Sequence, residues 1–257
     1  MLRLEFMPAA TRKNFERLRD EPRLDGFTLI GGTALALQIG HRISEDLDFN
    51  IFGQALPISN LDQLLSDLEK EGAVIESLIS SEKKTAYKIN TGFDLDDFIQ
   101  DYLINGAKVT FQSRNEQDRP KQQIEYLKSA PKISVSAQGF EILAIEGLFA
   151  MKSLVVYDRV RSRDIYDLMV LTRNHGFSLQ DAFQVVSQNQ PPRHKDPEHF
   201  KSVVTGIIPL DKTDEGFSSI RLDVKMQNIY KYFNGLLKEH EIQSAQALLK
   251  NPKSLKP

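Results

Sequence analysis

Residues 27–52, FTLIGGTALALQIGHRISEDLDFNIF, limit the folds open to this chain more than any other stretch. An apolar run from Phe27 to Ile30 meets a tight Gly31-Gly32-Thr33 turn, and a short apolar helix follows. A second run then carries Asp46-Leu47-Asp48-Phe49. Side chains alternate faces along a strand, so Asp46 and Asp48 share one face while Leu47 and Phe49 take the core. Neighbouring carboxylates repel each other and cost desolvation. Mg²⁺ (or Mn²⁺) compensates well, because hard oxygen donors suit such ions and Mg²⁺ commonly binds substrate phosphates as well. Gly31 and Gly32 let backbone approach a ligand, and the helix behind them presents N–H groups suited to phosphate. His41, Arg42 and Ser44 lie between glycines and acids, where His41 and Arg42 are placed to touch phosphates. The plainer reading is a strand–turn–helix–strand with two solvated aspartates.

At 257 residues the chain suits one large domain or two small ones. A 40% hydrophobic and 26% charged composition is that of a soluble globular protein, and no run approaches membrane-spanning length. The N-terminus lacks the apolar core of a signal peptide, and cysteine is absent, so the expected location is cytoplasmic. With a net charge of −2, an RNA partner would need a local basic patch.

Periodicity predicts helices over residues 10–19 and from Ser59 to Glu71, the latter burying Leu61, Leu64, Leu65 and Leu68. AVIESLIS and TAYKIN, joined by SEKK, read as a β-hairpin. FDLDDFIQDYLING (93–106) reads as an amphipathic helix, and AKVTFQ (107–112) as a strand. The polar stretch 113–132 separates a core domain, 1–130, from a helical domain, 131–257, closing the cleft. In the second, helices are expected over 138–159, 161–176 with Ser162 as N-cap, 179–189 and 224–249, the last in one piece or two. PPRHKDPEH (191–199) reads as a mobile loop, with His194 and His199 solvated; His175 reads as a helix-end residue.

The Gly-Gly turn and spaced Asp-x-Asp resemble the nucleotidyltransferase superfamily that includes DNA polymerase β. More narrowly, GGTALAL…GHRISEDLDF is similar to the AbiEii/AbiGii toxin family. The resemblance implies an α+β fold: a small mixed β-sheet nucleotidyltransferase core with a mainly helical C-terminal half. It implies a nucleoside triphosphate substrate held by Gly31, Gly32, Thr33, Arg42 and Ser44, and a metal on Asp46 and Asp48. It also implies transfer to an acceptor such as tRNA or another RNA, and a separate antitoxin protein. The superfamily often carries a third carboxylate on the strand where Val109-Thr110-Phe111 offers only a hydroxyl, so that either the third acid is absent or it sits elsewhere, with Asp94, Asp96 and Asp97 as candidates.

A second constellation matches the same family: Lys152, Arg159, Arg163, Asp164, Asp167 and Leu168. A cation aimed at the leaving pyrophosphate stabilises a transition state more than a ground state. Lys152 fits that role, since it interrupts an apolar helix, with Arg159 or Arg163 beside it. Arg163 and Asp167 stand at i, i+4 and can pair. The alternative is an ion-pair network between helices, with Asp164 capping its own helix. Transfer to a small molecule or protein hydroxyl, or an inactive nucleotide-binding module, are the competing functions.

Overall fold

A computed structural model describes residues 2–115, 119–191, 196–218, 220 and 222–250, apart from the side chains of residues 247, 248 and 250. The chain divides into two compact units, residues 1–148 and 149–257.

The first unit is α+β. Its elements are α1 (Ala9–Leu18), β1 (Thr28–Ile30), α2 (Gly31–Ile39), β2 (Leu47–Phe52), α3 (Ile58–Lys70), β3 (Ile75–Ser77), α4 (Ser81–Thr91), β4 (Ile99–Ile104), β5 (Ala107–Arg114), α5 (Lys121–Ser129), β6 (Lys132–Ser134) and β7 (Glu141–Leu143). The strands form one mixed sheet in the order β3-β4-β5-β2-β1-β7-β6. β2 runs parallel to β5 and antiparallel to β1. Leu47 and Phe49 of β2 are fully buried. Phe49 stacks on Phe111 of β5 at 5.5 Å and meets Phe140 edge-on at 4.8 Å; Phe15 of α1 meets Phe140 at 5.6 Å. This aromatic cluster claims one face of β2, and strand parity delivers Asp48 to the other. α3 buries the four leucines expected of it.

Four local expectations are corrected. TAYKIN is not a strand: Ser80 Oγ accepts the Lys83 N–H at 3.3 Å, Gly92 closes the far end at φ 79°, and SEKK opens α4. Residues 93–106 are not a helix. Asn105 and Gly106 take φ of 50° and 81°, forming the two-residue turn that pairs β4 with β5, Ile104 opposite Ala107. The apolar stretch 138–159 is split, with β7 entering the sheet beside β1 before a helix begins. The division therefore falls at 148/149 rather than 130/131, because β6 and β7 complete the sheet.

α6 (Ile145–Val155) carries the chain across that division. The second unit continues with α7 (Ser162–Asn174), α8 (Leu179–Asn189), α9 (Glu198–Val204) and α10 (Met226–Lys250), and is helical throughout its described elements. α10 is one continuous helix packed on α7, α8 and α9. Tyr232 Oη bonds Thr172 Oγ1 at 3.2 Å, and Phe183 meets Phe200 edge-on at 5.9 Å. Among the described residues no helix is long and apolar enough to cross a membrane. Of the loop expected at 191–199, residues 192–195, with His194, lie outside the described residues.

Candidate active site

The first unit assembles its site where β1 turns directly into α2. Ile30 occupies the N-cap position without a side-chain cap, so the first-turn N–H groups are left for another acceptor. Gly31 takes φ +78°, and a Cβ built on it would lie 2.6 Å from Asp48 Oδ2. A Cβ on Gly32 would lie 2.5 Å from Arg42 Nη2 and 3.0 Å from Ser44 Oγ. Both glycines are thus needed for close approach, Gly31 doubly so. They remain partly exposed, which lets a ligand reach them.

The loop leading to β2 is pinned from several sides. The Thr33 hydroxyl lies 2.9 Å from Ser44 Oγ and donates to the Asp46 carbonyl. Ser44 N–H donates to Phe6 O at 3.0 Å, and Thr11 Oγ1 to Glu45 O at 2.6 Å. Arg42 is buried, with Nη1 donating to Ile43 O at 3.1 Å. Asp46 immediately precedes β2, and Asp48 pairs in register with Ile30. Gly31, Gly32, Thr33, Arg42, Ser44, Asp46 and Asp48 therefore converge as expected. Two partly exposed carboxylates beside uncapped N–H groups fit a divalent cation that completes its shell with water and phosphate oxygens. Among the described residues no group of three or more Asp, Glu or His side chains is arranged to hold a metal ion.

The substitutes proposed for a third acid lie elsewhere. Asp94 and Asp96 pair with Lys88 at 2.8 Å and Lys84 at 2.9 Å, and Asp97 ends a 3-10 turn ahead of β4. The sequence reading missed Asp101, whose carboxylate accepts the Thr110 hydroxyl proton at 2.7 Å. Asn105-Gly106 was the available signal: recognised as a hairpin turn, it puts Asp101 opposite Thr110.

The second unit holds a buried charge cluster. Lys152 Nζ lies 2.5 Å from Asp164 Oδ1 and 2.7 Å from Asp167 Oδ2, and Arg159 Nε 2.9 Å from Asp164 Oδ2. Lys152, Asp164 and Asp167 are buried, while the Arg159 side chain is 53% exposed. Burial opposes ionisation of Asp164, but the Lys152 and Arg159 charges outweigh it and hold the carboxyl below its usual range. Asp164 thus faces Lys152 and Arg159 rather than serving as a simple cap. Arg163 reaches out of its own helix to Glu215 at 2.9 Å and the Gly216 carbonyl at 3.1 Å. Ser162 is the first residue of α7, not its cap; the Asp214 carboxylate accepts both its N–H and its hydroxyl. His175 does end α7, whereas His199 is half-buried, bonded to Val156 O at 3.1 Å and stacked on Tyr157.

A mixed sheet carrying a glycine turn against paired acids, followed by a helical unit, has the arrangement of a nucleotidyltransferase. The family described as nucleotidyl transferase AbiEii toxin, type IV toxin–antitoxin system, matches residues 15–227, and the chain belongs to it. An uncharacterized Aquifex aeolicus protein is 24% identical over 218 residues, covering 83% of this chain and 87% of its own. Similar solved structures include JHP933 from Helicobacter pylori, with TM-score 0.46, 20% identity, and coverage of 92% of this chain and 96% of that one. Another is the nucleotidyltransferase toxin MenT4 of Mycobacterium tuberculosis, with TM-score 0.45, 12% identity, and coverage of 88% and 86%.

Proposed function

We propose that this transferase moves a nucleoside monophosphate from a nucleoside triphosphate to the 3′ hydroxyl of an RNA, tRNA foremost, as the toxin partner of a cognate antitoxin protein. The approach of Gly31 to the Asp48 carboxylate carries the reading, because it sets an acid directly beside the uncapped N–H groups of the first turn of α2. Asp46 and Asp48 are suited to hold Mg²⁺ or Mn²⁺. Such an ion, when bound, screens phosphate charge and polarises the reacting phosphoryl group.

The chain's own groups do the rest. The N–H groups of the Gly31-Gly32-Thr33 turn bind phosphate oxygens, with the positive end of α2 behind them. Arg42 adds a fixed charge next to Gly32, and Ser44 and Thr33 hold the loop that presents Asp46. The acceptor oxygen bonds to the α-phosphorus as the bond to pyrophosphate breaks. In the second unit, Lys152, Arg159 and Arg163 are the cations whose chemistry suits charge growing on pyrophosphate, and Asp164 and Asp167 pair with Lys152.

Incubating the protein with Mg²⁺, α-labelled nucleoside triphosphates and total RNA tests the proposal. Label at an RNA 3′ end, lost in Asp48→Ala, is the expected result. Label on a small molecule or a protein would move the acceptor to another class. Neither binding nor transfer of nucleotide would leave an inactive module.

A further inference from the structure

The sheet face that carries Asp48 continues through two more strands. Asp48 stands opposite Thr110 of β5, and Thr110 opposite Asp101 of β4. Residues in register across neighbouring strands project from the same face, so Asp48, Thr110 and Asp101 form one row. At a strand spacing of about 4.8 Å, the backbones of Asp48 and Asp101 stand about 10 Å apart. Thr110 is buried, and its hydroxyl donates to Asp101 Oδ1 at 2.7 Å. That spends the only proton of Thr110, so the row offers acceptors alone: a carboxylate, a hydroxyl oxygen and another carboxylate.

Such a row divides the site by charge. Phosphate belongs at the other end, over the N–H groups of Gly31 to Thr33, and would be repelled over Thr110 and Asp101. A group with a proton to give is attracted there. Asp101 is not a third ligand beside Asp46 and Asp48, since no group of three such side chains is arranged to hold a metal among the described residues. Its side chain is 17% exposed, and its second oxygen lies 3.8 Å from the exposed Lys108 ammonium, too far for a hydrogen bond. Asp101 is therefore oriented by Thr110 and still open to a donor.

We infer that Asp101 is the base that takes the proton of the acceptor hydroxyl, which approaches over Thr110 from the β4 side. This rests on the proposed transfer and adds its direction. The acceptor O–H bond breaks and its proton passes to the Asp101 carboxylate as the new oxygen–phosphorus bond forms. The bond from α-phosphorus to the bridging oxygen breaks, and its electron pair leaves with pyrophosphate.

The test compares wild type, Asp101→Asn, Asp101→Glu, Thr110→Val and Asp48→Asn in transfer from labelled nucleoside triphosphate to total tRNA with Mg²⁺, beside nucleotide-induced thermal shifts. Asp101→Asn is expected to lower kcat by about 10²–10⁴-fold, the range for a lost general base, with KM for nucleotide and the thermal shift unchanged. Asp101→Glu should recover part of the rate, and Thr110→Val should lower kcat in the same pattern. Asp48→Asn should lose transfer altogether. Wild-type turnover in Asp101→Asn, or loss of nucleotide binding in step with rate, overturns the inference and leaves the transferase reading intact. Should Asp101→Asn fail to fold, full activity in Thr110→Val overturns it instead. No transfer by the wild type would overturn both.

Discussion

Gly31 and Asp48 face each other across the β1–α2 turn so closely that a single methyl on the glycine would sit 2.6 Å from the Asp48 carboxylate. Gly31→Ala must therefore displace that carboxylate while forcing alanine into a left-handed backbone, which costs about 1–2 kcal/mol. The expected protein is folded, with a slightly lower denaturation midpoint, and loses most transfer activity. Urea titration beside the labelled-nucleotide assay checks both; a fully active Gly31→Ala would mean that the contact is not functional.

Metal binding should show in stability before any turnover is measured. A ligand that binds only the folded state stabilises it by mass action. Mg²⁺ or Mn²⁺ should raise the melting temperature of the wild type, more so with a nucleoside triphosphate present. Asp48→Asn should abolish the rise, and chelation should reverse it.

Lys152 pairs with two buried acids at 2.5 and 2.7 Å. Removing one partner from a buried ion cluster costs about 3–5 kcal/mol, because the remaining charges stay desolvated. Lys152→Met should therefore destabilise the protein by that order, as read from denaturant midpoints. Pairing it with Asp164→Asn should recover part of the loss, so that the two changes are non-additive.

Acid should weaken the same cluster. Asp164 is held below its ordinary value by Lys152 and Arg159 against the effect of burial. A depressed carboxyl contributes stability that is complete above its unfolded value of about 3.9. That contribution is lost as pH falls further, through the folded value. Denaturant midpoints should drop as pH is lowered past about 4, and the drop should be shallower in Asp164→Asn.

Asn50 is fully buried two residues beyond Asp48, and among the described residues neither its amide nitrogen nor its carbonyl oxygen has a hydrogen-bond partner. An unsatisfied buried polar group costs about 1–3 kcal/mol. Asn50→Leu, of similar shape, should raise the melting temperature; a fall would show that the amide has a bonded role.

Legibility followed the range of the interactions. The glycine turn and spaced acids were readable because strand parity and backbone freedom act over a few residues, and the structure brings Gly31, Gly32, Thr33, Arg42, Ser44, Asp46 and Asp48 together. The Lys152, Arg159, Asp164 and Asp167 cluster was likewise anticipated as a group, with its ion-pair character visible as the plainer reading. β4 and β7 were misread as helix because Leu95, Phe98 and Tyr102, or an apolar run with no polar face, satisfy helical spacing equally well.

By itself the sequence determined the local chemistry: which residues carry charge, where a backbone must turn, and which family the motifs belong to. Only the tertiary structure decided which acid joins the row beyond Asp48, that Arg163 reaches Glu215, and that β6 and β7 close the sheet. Those outcomes depend on pairing between segments tens of residues apart. Register across such distances follows from packing and hydrogen bonding summed over the whole sheet, which no short window of sequence contains.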